Sequence, residues 1–122
     1  MKNKRAYPRI RSDWQLFWST GDVHKPIGYV RDISLSGALL HFSEEYELDP
    51  ERHLFTLKLR NPQIKPPELV ISGLKEWEKR QKNEVFLGIV LEKLEKEKRK
   101  TLLHFLSRSD KLQAQAFLLE AD

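Results

Sequence analysis

The chain has 122 residues, 39% hydrophobic and 33% charged, with a formal net charge of +4 and a mean hydropathy of -0.60. That length fits one domain of the usual ~100–150 residues and excludes a two-domain enzyme. No apolar run approaches the ~18–20 residues of a membrane helix, and the absence of cysteine excludes disulfide frameworks and cysteine-based zinc sites. Met1 is followed by KNKRAYPRIR with no apolar stretch behind it, so no secretory leader is expected and a cytoplasmic location is. Residues 1–12 read as a basic flexible arm. Lys2, Lys4, Arg5, Arg9 and Arg11 stand there without an acid, and the rest of the chain holds 17 basic against 18 acidic residues. Pro8 lacks an N–H and biases Tyr7 away from helix. A cationic arm on a near-neutral body suits a small polyanion, whereas a long phosphate backbone wants basic residues spread along a face. No nucleic-acid polymer is therefore expected as a partner.

Short apolar segments separated by turn signals follow. The expected strands are Trp14–Trp18, Ile27–Ile33, Ala38–Phe42, His53–Leu59, Leu69–Trp77 and Val85–Leu91. Thr20–Gly21–Asp22, Ser34–Gly37, the acidic EEYELDP stretch and the proline-rich NPQIKPP stretch separate them. Six short strands predict a mainly β domain, a small antiparallel barrel or sandwich. Glu92–Leu106 then reads as a helix, with Glu92–Lys96 and Glu95–Arg99 as favourable i,i+4 pairs. Leu102, Phe105, Ser109, Leu112, Ala116 and Leu119 step by three and four, the spacing of a short coiled-coil stripe. Residues 13–106 are thus expected to form the barrel and its helix. Residues 107–122 are expected as a helical extension and a self-association surface, which would make a homo-oligomer through the C-terminal helix.

Two motifs carry chemistry. Arg5-Ala-Tyr-Pro-Arg9 is an R-x-x-x-R, which chance supplies about 0.6 times in such a composition and which alone means nothing. Asp32-Ile-Ser34-Leu-Ser-Gly37 is a [DN]-x-S-x-x-G, which chance supplies only about 0.02 times.

In this order and spacing the two motifs resemble those of the PilZ family, the bacterial receptor domains for cyclic di-GMP. Tyr7-Pro8 inside the arginine motif, Trp77, and Val85–Phe86–Leu87–Gly88–Ile89 before a helix are also similar to family features. The resemblance implies a six-stranded antiparallel PilZ-like β-barrel with a C-terminal α-helix. It implies cyclic di-GMP as the ligand, with no other cofactor and no metal. It assigns the ligand contacts to Arg5, Arg9, Asp32, Ser34 and Gly37. Lys4, Arg11 and Arg31 are auxiliary candidates, and a basic residue at the position of Lys4 goes in the family with a stacked pair of ligands. It also implies an effector protein to which the bound state is signalled.

The residue types fit that ligand. Guanidinium is planar, permanently charged and forked, so it pairs bidentately with phosphate or with guanine O6 and N7 and stacks on purines. In an extended arm Arg5 and Arg9 lie at most ~13 Å apart, and a bend at Pro8 brings them closer. An ionised Asp32 accepts the N–H donors of a guanine edge. Ser34 donates or accepts, Gly37 permits positive φ or a close backbone approach, and Ser36 fits ordinary turn chemistry. An enzyme is not expected. His24, His41, His53 and His104 lack metal-ligand spacing, and SLSG lacks the first glycine of a hydrolase elbow. The competing readings are a degenerate PilZ-like interaction scaffold that binds no nucleotide, and a small barrel for single-stranded nucleic acid.

Overall fold

A computed structural model describes residues 10–20, 23–43, 51–108 and 114–119, with the side chains of 10–13, 20 and 23 outside that description. The elements in chain order are β1 (Ile10–Thr20), β2 (Val23–Ile33), β3 (Gly37–Ser43), β4 (Leu54–Arg60), β5 (Glu68–Gln81), β6 (Glu84–Leu91), α1 (Lys96–Ser107) and β7 (Gln115–Leu119). The strands close into a barrel in the order β1-β2-β3-β6-β5-β4-β7. Inward side chains alternate along each strand. Leu16, Val30, Leu40, Leu57, Leu59, Ile71, Leu87, Ala116 and Leu118 fill the interior and are at most 1% exposed.

The six expected strands are all present, and a seventh completes the wall. Neighbouring strands that alternate in direction can form a closed ring only in even number. Seven therefore force a parallel joint, and it falls between β1 and β7, where Gln15–Ser19 pairs with Gln115–Leu119. The other side of β7 pairs antiparallel with β4.

The helical extension over 107–122 is thereby corrected. Residues 109–113 and 120–122 lie outside the described residues, but Gln115–Leu119 is strand. Ala116 and Leu118 enter the barrel. Phe117 faces outward yet is only 4% exposed, because Phe17 stacks on it at 5.3 Å, His24 meets it edge-on at 4.9 Å and Lys58 Nζ lies 5.2 Å from its centroid. A strand covered on both faces carries no polar alternation, so its pattern imitates a helical stripe. The expected stripe is split between two elements: Leu102 and Phe105 belong to α1, and Ala116 belongs to β7. The stripe positions Ser109 and Leu112 lie outside the described residues.

Two boundaries also move. Residues 10–12, expected in the arm, begin β1, because Ile10 and Arg11 pair with Ile33 and Asp32. The helix starts at Lys96 rather than Glu92, after Glu95 in extended conformation. Its buried side chains Leu102, Phe105 and Leu106 join the barrel core, and the Phe105 ring lies 6.1 Å from that of Trp14. No helix among the described residues is long and apolar enough to cross a membrane.

Candidate functional site

The β2–β3 turn carries Asp32, Ser34 and Gly37. Ser34 N–H donates to the Gly37 carbonyl at 2.8 Å, and Ser36 N–H donates to Ser34 Oγ at 3.2 Å. The two serine hydroxyls are 3.2 Å apart. This is the local bonding by which serine side chains build turns. Leu91 N–H donates to the Ser36 carbonyl at 2.9 Å and ties the turn to the end of β6. Ser34 is 1% exposed, so its hydroxyl serves the turn itself, a role the sequence reading gave only to Ser36. Gly37 is buried and pairs with Val90. From Val90 an exposed apolar row continues to Leu74 and Leu54 across β6, β5 and β4.

Asp32 is half-buried, opposite Arg11 on β1 and Leu39 on β3. Lys4, Arg5 and Arg9 lie outside the described residues, as does the side chain of Arg11. Their attachment point is described: Ile10, next in sequence to Arg9, pairs with Ile33, the residue between Asp32 and Ser34.

Arg31 has a built environment. Val30 pairs with Leu40 and Asp32 with Leu39, so Arg31 is the extra residue of a bulge, a device that re-aims a side chain. Its Nε–H donates to His41 Nδ1 at 3.1 Å, and its guanidinium carbon lies 5.5 Å from the Tyr29 ring centroid. His41 Nε2 lies 3.0 Å from Glu84 Oε1, and the His41 ring stacks on Phe86 at 4.3 Å and 9°. Beside this chain opens a groove of about 440 Å³. Gly28 lines it and lets β2 press against β3, since a Cβ there would run into the His41 carbonyl oxygen and the backbone of Phe42. Sequence reasoning gave no role to Tyr29, His41 or Glu84. The outward phase of alternation in β2 and β3 was the available signal for the first two, and nothing local links residue 41 to residue 84.

Trp77 lies across Gly88, where a Cβ would meet its indole ring. Among the described residues no group of His, Asp and Glu is arranged to hold a metal ion. No family model matches the chain, and comparison with curated proteins and with solved structures gives no match.

Proposed function

We propose that the chain is a non-catalytic cytoplasmic receptor for cyclic di-GMP that passes the bound state to an effector protein. One observation carries this reading. The strand register fastens the point where the basic stretch joins the barrel to the strand end bearing Asp32 and Ser34, through Ile10–Ile33 and Arg11–Asp32 pairing. A register that begins one residue after the first motif and pairs within the second supports one ligand better than two motifs that merely share a chain. In this reading Arg5 and Arg9 clamp phosphate and guanine by forked, charge-assisted hydrogen bonds. Asp32 accepts from a guanine edge, and Ser34 and Gly37 hold the rim of the turn. Ordering the arm costs ~1–2 kcal/mol per residue fixed, which the charged contacts must offset. The ordered arm is the signal that the effector reads.

Titration calorimetry with cyclic di-GMP, GMP and a short oligonucleotide tests it. The parent chain is expected to bind cyclic di-GMP in preference to both others, and more weakly as salt is raised. Arg9→Ala and Asp32→Ala each remove charge-assisted bonds worth ~1.5–3 kcal/mol, so each is expected to weaken binding about 10- to 100-fold. Equal affinity of Arg9→Ala and parent sinks the proposal. Preference for the oligonucleotide replaces it with single-strand binding.

A further inference from the structure

We infer that His41 is a proton-gated latch on Arg31. The guanidinium can only donate hydrogen bonds. Its Nε–H points at His41 Nδ1, so that nitrogen must present a lone pair. The single proton of the neutral ring is then on Nε2, where it donates to the Glu84 carboxylate. Each ring nitrogen is thus committed, and the tautomer follows from the geometry. The imidazole is held from its face as well, stacked on Phe86, and its side chain is 14% exposed.

A second proton can enter only at Nδ1. There it would aim an N–H at the Arg31 N–H and set an imidazolium against a guanidinium. Proton and arginine therefore compete for one lone pair, and acidification breaks the Arg31–His41 bond. The groups around the ring are Arg31 and Tyr29 from β2, Glu84 from β6 and Asn83 from the β5–β6 turn, with Lys79 on β5 as the cross-strand partner of Phe86. Only Arg31 addresses Nδ1 in the described contacts, whereas Glu84 keeps its bond to Nε2 in either charge state.

Arg31 precedes Asp32 directly. An added imidazolium charge beside Arg31 favours an anion, so capture of cyclic di-GMP tightens as pH falls. That consequence rests on the receptor reading above, and the latch does not. Nitrogen-15 spectra of the full chain without ligand, recorded from about pH 8 to 5, decide the latch. At the alkaline end the Nε2-protonated tautomer is expected. On acidification the Arg31 Nε–H resonance is expected to move along the same curve as His41 Nδ1, and in His41→Gln it stays flat. A neutral Nδ1-protonated ring, or an Arg31 signal indifferent to His41 titration in the parent chain, overturns it. Calorimetry with cyclic di-GMP at both ends of the range reads the consequence. Absence of binding at either pH defeats the receptor reading and leaves the spectra to decide the latch.

Discussion

Two clusters on the outside of the barrel use the same ingredients, a stacked ring pair, a histidine and a cation. Where β7 meets β1 and β4, Phe17 stacks on Phe117, His24 meets Phe117 edge-on, and Lys58 lies over the ring. Where β2, β3 and β6 run side by side, His41 stacks on Phe86, and Arg31 and Glu84 address its two nitrogens. In the first cluster the rings cover one another and Phe117 is almost fully buried. In the second the polar atoms are wired together beside an open groove. Apolar cover without directed bonds contributes stability by area, whereas a chain of directed bonds contributes little net stability and responds to charge. The first cluster closes the barrel, and the second is the region whose directed bonds depend on charge.

That division of labour is testable by substitution. Leu118→Ala empties a fully buried position in the closing strand and is expected to cost about 3 kcal/mol, read as a fall in Tm of about 10 °C in thermal melts. His41→Ala removes a stacked ring and two hydrogen bonds whose partners regain water, and about 1 kcal/mol is expected. Equal losses for the two variants would erase the distinction. Smallest is a control in neither cluster. The hydrogen bond from Arg80, helped by Lys75, holds the Glu78 carboxyl below its ordinary value of 4.5. A carboxylate stabilised in this way contributes above the unfolded value and loses its contribution as pH falls through the folded one. Glu78→Gln is expected to cost a few tenths of a kcal/mol at about pH 7, and the gap to the parent should vanish by about pH 3. A gap that persists in acid points to packing rather than charge.

Six strand positions were legible because each has one covered face and one wet face, and alternation records that difference. Leu57 and Leu59 against Lys58 and Arg60 is the clearest instance. The seventh strand was not legible, because Phe117 and Leu118 are both covered and the Ala-Gln-Ala run favours helix locally. Only the odd strand count, visible in three dimensions, demands a parallel joint, and the register puts it at β1. The turn motif was legible as chemistry, yet the inward commitment of the Ser34 hydroxyl was not, since a serine reads alike whether it faces ligand or backbone. The bonds that link Arg31, His41 and Glu84 left no trace, because they are made by register and by a bulge, neither of which is written locally.

The parallel joint between β1 and β7 has a consequence for biosynthesis. Residue 15 waits for residue 115. As the nascent chain leaves the ribosome at ~5–20 residues per second, about 1–6 s separate the appearance of Leu91 from that of Leu119. Through that interval β1 and β4 carry bare hydrogen-bonding edges over an exposed apolar lining, a form that invites pairing with other chains. Among the described strands β7 is the last to be made, and its arrival covers both edges.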